Sequence, residues 1–279
     1  MSSKDSDLFA VYRRRSGERA SAVRKAQRLS IAFDDWREGE ERWLFIAPHD
    51  DDIVMGAGLL VQKALAERVD LTMAITTDGR MGYCEASQRD AIAHIRKSET
   101  IESFRMIGVE QVRWLGFPDC DLARYLGRRQ AAAGDPGVVA GYTGLQNAYV
   151  NLLRSVRPTR LFLATGNDLH PDHKSVYQEV LISIFHAQGE IWPELGAPLA
   201  ALPPVYEMAI YCAFPGEPEI KIEGGPVHLE RKLAAIAAYR SQKQIELLVE
   251  KLRAAGPVEY FRRADFALYS PAIYDGLFA

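Results

Sequence analysis

The sequence has no apolar run near the roughly 20 residues that span a bilayer, so no membrane span is expected. Its first residues are polar and charged, with no apolar stretch ahead of a small-residue cleavage site. No secretory leader is therefore expected, and a cytoplasmic location is. Cysteine is scarce. Cys84, Cys120 and Cys212 are odd in number, far apart and without a CxxC pair. That argues against a disulfide framework and for free thiols in a reducing compartment. Net charge is small, −3 with a pI near 6.1, and gives no global reason to expect nucleic acid. A local basic group, Arg13, Arg14, Arg15, Arg19, Arg24, Lys25 and Arg28, reads as a solvated helix face, with a short nucleic-acid or membrane patch as the alternative. Internal repeats and low-complexity linkers are missing. So is a Gly-rich phosphate turn after the first apolar strand, where Pro48-His49-Asp50 stands, which disfavours a nucleotide-binding Rossmann module. Gly56-Ala57-Gly58 lies within the following helix and reads as close helix packing.

What remains is a chain of 279 residues, 48% hydrophobic, able to bury a sizeable core. Residues 1–40 are expected to form a helical N-terminal extension, with Leu8, Val11 and Tyr12 on one face, packed on the main domain or on a neighbouring subunit. Residues 41–279 are expected to form one domain. Strands are expected at 43–47, 71–77, 112–117, 161–164 and 205–212, and an edge strand near 266–269. Helices are expected at 53–67, 88–106 and 145–155, from 171, and as one long helix over 228–254. Strands alternating with helices predict an α/β fold, Rossmann-like and doubly wound, with a mostly parallel sheet and helices on both faces.

Two motifs carry chemistry. Ala47-Pro48-His49-Asp50-Asp51-Asp52 follows the first strand of the expected domain, where ligands gather in an open parallel sheet. Consecutive carboxylates repel one another and invite a positive charge, such as a metal ion. His49 and Asp52 are three residues apart, so one helical turn can aim both the same way. Asp51 lies between them, near an ion but not on it, which suits a general base. The alternative is a helix N-cap. The second motif is His170-Pro171-Asp172-His173, with Pro171 suited to the first position of a helix and His173 one turn in. A surface turn is the alternative. Taken together, His49, Asp52 and His173 make the mixed nitrogen and oxygen set of a catalytic zinc site with an open position; the same set also suits Fe(II).

These residues resemble the LmbE-like or PIG-L deacetylases. The family's first motif is His-Pro-Asp-Asp-Glu, against His49-Asp50-Asp51-Asp52-Ile53 here, and its His-Pro-Asp-His motif is intact at 170–173. The resemblance spans about Trp43 to Gln242. It implies zinc on His49, Asp52 and His173, Asp51 as general base, and His170 stabilising the developing oxyanion. It also implies a small N-acylated, sugar-like substrate, and makes a homo-oligomer plausible. Arg96 and Glu99 resemble an Arg-x-x-Glu helix whose arginine faces substrate. Leu115 to Asp119 resembles a Leu-Gly-x-x-Asp segment, making Asp119 a candidate for a sugar hydroxyl. Arg80 joins them as a candidate for holding a polar substrate. A surface salt bridge is the alternative for all three. Asp172 either holds a histidine tautomer or serves the helix dipole, and Asp50 is a neighbouring support. The sequence departs from the family at Asp50 for proline, Ile53 for glutamate, Tyr239 where histidine is common, and Asp168 where some members have a tyrosine. An amidase of a larger conjugate and a non-catalytic metal-binding module are the rival readings.

Overall fold

The computed structural model describes residues 8–14 and 23–277. The described part of the N-terminal segment corrects the expected helix. It forms strands β1 (Ala10–Arg13) and β2 (Arg24–Ala26) and one short 3-10 turn. In β1, Val11 and Arg13 are the inward pair. An inward arginine hides the strand alternation, and it is tolerated because Arg13 donates to Asp34 at 2.8 Å and to the carbonyl of Ala32. The basic group is therefore no helix face where it is described. Arg13, Arg14 and Arg28 each pair with an acid, while Arg15 and Arg19 lie outside the described residues.

The chain continues through β3 (Arg42–Ala47), α1 (Asp52–Ala66), β4 (Asp70–Thr77), α2 (Ile92–Met106) and β5 (Val112–Phe117). A small hairpin of β6 (Arg129–Gln130) and β7 (Tyr142–Thr143) precedes α3 (Leu145–Val156), β8 (Arg160–Ala164), α4 (Pro171–Gln188) and β9 (Val205–Met208). The last part holds β10 (Ile220–Glu223), α5 (Pro226–Ala237), α6 (Ile245–Ala255) and β11 (Val258–Arg263). The main sheet has the order β2-β1-β10-β11-β9-β8-β3-β4-β5. From β9 to β5 every pairing is parallel, and from β9 to β2 every pairing is antiparallel.

The centre of the parallel part, β3 and β8, is buried on both faces, which is why these strands read as continuous apolar runs. Trp43 and Phe45 of β3 pack into one core with α1, α2 and α5, while Leu44 and Ile46 pack into the other with α3 and α4. After β3 the chain moves outward to β4 and β5, then returns to β8 on the other side of β3. The carboxyl ends of β3 and β8 thus flank the point where the strand order reverses, the crevice where such sheets bind ligands. Both chemical motifs leave the sheet there.

Two further expectations are corrected. The long helix over 228–254 is two helices, because Ser241 gives its N–H and hydroxyl to Glu99 at 2.8 and 2.7 Å instead of continuing the helix. The last strand is β11 at 258–263 rather than an edge strand at 266–269, and it lies inside the sheet between β10 and β9. Its inward residues are Glu259 and Phe261, and a buried glutamate breaks the apolar alternation.

That glutamate has a structural task. Helix α1 kinks at Ala57, and the N–H groups of Leu59 and Leu60 are taken by Glu259 at 2.8 and 2.9 Å. Lys232 of α5 closes the pair at 2.7 Å. The glycines beside the kink permit the close approach, since a Cβ on Gly58 would meet Lys232 at 3.0 Å and one on Gly56 would meet Ile210 at 2.6 Å. Lys232→Met strands a buried carboxylate and is expected to cost about 3 kcal/mol, read as a lower urea midpoint at unchanged slope.

Candidate metal centre and active site

Asp51 stands at the N-cap position of α1, yet its side chain makes no capping hydrogen bond. Asp52 instead begins the helix and accepts the backbone N–H of His49 at 2.9 Å. This bond folds the turn so that His49 and Asp52 face the same way. On the neighbouring strand's exit, His170 caps α4 and its Nδ1 accepts the N–H of Asp172 at 3.2 Å. His173 follows one turn on and is fully buried.

The two motifs meet. His49 Nδ1 and His173 Nε2 are 3.2 Å apart. Asp52 Oδ2 lies 3.5 Å from the first and 3.4 Å from the second. Four-coordinate zinc, with bonds of 2.0–2.1 Å, sets its ligand atoms about 3.3 Å apart. Asp52 Oδ1 is buried with no hydrogen-bond partner, a costly state unless a cation compensates. The far nitrogen of each imidazole is turned to carboxylates. His49 Nε2 is 3.3 Å from Asp119 and 3.5 Å from Asp172, and His173 Nδ1 is 3.3 Å from Asp168. This leaves Nδ1 of His49 and Nε2 of His173 for the shared point; His173 Nδ1 is near Asp168 without a formed hydrogen bond. Asp50, Asp51, Asp52, Asp119, Asp168 and Asp172 are all buried around it, with Arg96 as the buried arginine opposing them. The donor set therefore fits a divalent ion in type, spacing and charge.

The electrostatics follow. Burial opposes charge on both imidazoles, but the acids outweigh it and raise His49 well above its ordinary range and His173 above it. Burial likewise opposes charge on Asp52, and the two histidines overcome it to hold its pKa far down. Asp51 is pushed up to about 6 by burial, with Arg96 pulling it down and Asp50 and Asp52 adding to the rise. His170 is lowered by burial and by the neighbouring histidines. Since its Nδ1 accepts a backbone N–H, the neutral ring carries its proton on Nε2.

His49, Asp51, Arg96, Asp119, His170 and Tyr211 border a cavity of about 160 Å³. Arg96 passes close over Gly82, where a Cβ would meet the guanidinium. Its Nε donates to Asp50 at 3.1 Å, its Nη2 pairs with the same carboxylate, and Asp51 Oδ1 is 3.4 Å away. The arginine expected to face substrate is thus already engaged by Asp50. Asp119 also lines the cavity, but its oxygens face His49 and the N–H of Met81. Arg80 is not brought in. It is exposed and paired with Asp78, the surface salt bridge.

The family model for PIG-L, GlcNAc-PI de-N-acetylase, matches residues 44–184. The chain belongs to the PIG-L family. Two relatives are named deacetylases. One, from Saccharopolyspora erythraea, is 1D-myo-inositol 2-acetamido-2-deoxy-alpha-D-glucopyranoside deacetylase 2, 26% identical over 73% of this chain and 84% of the relative. The other, from Bacillus cereus, is a probable N-acetyl-alpha-D-glucosaminyl L-malate deacetylase 2, 27% identical over 75% of this chain and 86% of the relative. Among solved structures, N,N'-diacetylchitobiose deacetylase from Pyrococcus horikoshii superposes with a TM-score of 0.64 at 23% identity, covering 84% of this chain and 85% of that one. That likeness shows a shared fold.

Against the PIG-L pattern, the departures at Asp50 and Tyr239 touch each other. The hydroxyl of Tyr239 donates to the carbonyl of Asp50 at 2.6 Å, and Thr100 donates to the Asp50 carboxylate at 3.0 Å. Asp50 has therefore exchanged proline's rigidity for a grip on Arg96. The sequence marks Asp168 only as a departure from the family pattern and does not single out Tyr211. Asp168 had a local signal, an aspartate two residues before a helix cap, whose Oδ1 accepts the N–H of His170 at 3.1 Å. Tyr211 lies 38 residues after His173 and had none. Asp168→Asn in this PIG-L chain is expected to weaken zinc affinity about 10- to 100-fold, measured by chelator competition.

Proposed function

We propose that this chain is a zinc-dependent hydrolase that removes an N-acetyl group from an amino sugar or a related small amine. The observation that carries the reading is the pair of imidazoles, each with one nitrogen on a shared point beside Asp52 and the other on a carboxylate. His49, Asp52 and His173 would hold the ion. When bound, it supplies Lewis-acid charge at the reacting amide.

The remaining steps belong to side chains. Asp51 takes the proton of the attacking water. In the metal-free chain burial raises its pKa to about 6, with Arg96 pulling it down. The same carboxyl then returns the proton to the departing nitrogen. His170 offers its Nε2–H to the carbonyl oxygen as charge develops there. Arg96, fixed by Asp50, stabilises the ionised form of Asp51.

Size and family support the substrate class. A cavity of about 160 Å³ is well below the roughly 300 Å³ at which drug-sized pockets begin, which favours an acetamido end over a bulky acyl group. The two relatives named above act on compounds that carry an N-acetylated glucosamine unit. Cys84, Cys120 and Cys212 are unpaired, which supports a reducing, cytoplasmic setting. No helix among the described residues is long and apolar enough to cross a membrane.

The test is a set of N-acetylated amino sugars, beginning with N-acetylglucosamine and its α-glycosides, incubated with zinc-loaded protein. Equal amounts of acetate and free amine are expected. Zinc-loaded protein that releases amine from none of them would overturn the reading.

A further inference from the structure

A second cavity, of about 460 Å³, opens at the amino ends of β3 and β8, the opposite end of the sheet from the metal centre. Arg42, the first residue of β3, and Arg160, the first of β8, both line it. Strand β3 is six residues long. At about 3.3 Å per residue it separates this cavity from His49 by roughly 20 Å. The lining has two unlike parts. Residues 199–204 are all apolar. The charged part consists of Arg37, Arg42, Arg157 and Arg160, with Asp34 and Asp35 beside them.

These charges do not cancel within the protein. Arg160 is buried and spent on Glu41, to which its Nε and Nη2 donate at 2.9 and 3.0 Å. Asp34 is spent on Arg13 at 2.8 Å. Arg42 Nε donates to the carbonyl of Arg157 at 3.2 Å, and Arg157 Nη1 to the carbonyl of Pro198 at 3.4 Å. Carbonyls place these two side chains and leave their charge uncompensated. Arg37, Arg42 and Arg157 have no carboxylate partner among the described residues, and Asp35 has no cationic one. Three guanidinium groups against one carboxylate leave two positive charges facing one cavity. Arg157 also closes α3 in the left-handed conformation, φ 51°, at a position that favours glycine. We propose that this cavity binds a phosphate monoester of a small organic molecule, with the phosphate on Arg37, Arg42 and Arg157 and the carbon body against residues 199–204. Such a phosphate carries close to two negative charges at neutral pH, which matches the surplus. Guanidinium forks match its oxygens in geometry, and the volume falls within the roughly 300–1,000 Å³ of small-molecule sites. The proposal does not depend on the deacetylase reading.

Titration calorimetry on zinc-loaded protein tests it, with glucose 6-phosphate and AMP as probes and glucose and adenosine as their phosphate-free controls. One phosphate monoester per chain is expected to bind, and neither control. The tighter of the two monoesters identifies the body as sugar or nucleoside. Arg42→Gln and Arg157→Gln are each expected to raise Kd about 10-fold or more, the effect of losing a hydrogen bond to a charged group. Arg37→Gln is expected to weaken binding too, and it carries no folding cost because its side chain is exposed and bonds to no described residue. Asp35→Asn is expected to tighten binding about 3-fold, since it removes the opposing charge and asparagine tolerates the left-handed backbone there, φ 55°. All four variants are expected to keep the wild-type Tm and zinc content. Absence of binding by both monoesters would overturn the proposal, as would equal binding by the controls. Binding that survives both Arg42→Gln and Arg157→Gln would place the phosphate elsewhere, on the zinc for instance, and would overturn it as well.

Discussion

His173→Ala is expected to lose zinc and turnover together. His173 is fully buried, and its Nε2 is the point where Asp52 and His49 converge. Alanine removes a fully buried nitrogen donor from between His49 and Asp52. Several kcal/mol of charge stabilisation leave with the ion, so kcat/KM should fall by about 10⁴-fold or more. Zinc content should drop from about one per chain to near zero. Circular dichroism and a thermal melt separate this loss from unfolding. Folded His173→Ala with full zinc content would show that the ligand set is wrong.

Asp51→Asn is expected to keep zinc and lose turnover by about 10²- to 10⁴-fold. Asn cannot accept the water's proton, but it preserves the shape of the turn. Loss of zinc in this variant would instead make Asp51 a ligand. A second readout uses stability of the chelated protein. Burial, opposed by Arg96 and helped by Asp50 and Asp52, raises Asp51 from an ordinary 3.8 to about 6. Between those values the folded chain holds a proton that the unfolded chain has released. This contribution is present below the unfolded value and is lost as pH rises through the folded one. The neutral amide has no such loss. Metal-free Asp51→Asn should therefore lose less stability than metal-free wild type between about pH 4 and pH 7, read from urea midpoints.

The parallel half of the sheet and the two motifs were legible because burial on both faces leaves a plain record. Trp43 to Ala47 and Leu161 to Ala164 have no solvent side, so nothing interrupts their apolar runs. The antiparallel half was hidden by charged residues turned inward. Arg13 in β1 and Glu259 in β11 each occupy a core-facing position, and each is neutralised by a partner remote in sequence. No local pattern reports Asp34 or Lys232. The break between α5 and α6 was hidden for a related reason, since Ser241 ends the helix by bonding to Glu99 on α2.

At the site, the spacing within each motif is what brings His49, Asp52 and His173 together, because one helical turn sets each motif's geometry. Arg80 misled because a basic residue in a loop near a strand end is equally at home in a salt bridge with Asp78. Arg96 and Asp119 reached the cavity, but their polar atoms are shared with Asp50 and with His49, which only the fold reveals.

The most direct measurement is metal analysis of the purified protein joined to X-ray absorption at the zinc edge. One ion is expected between the carboxyl ends of β3 and β8. About one zinc per chain, with two imidazoles and an oxygen ligand in its first coordination sphere, is the expected result. Protein that binds no divalent ion, or holds zinc through its cysteines, would contradict it.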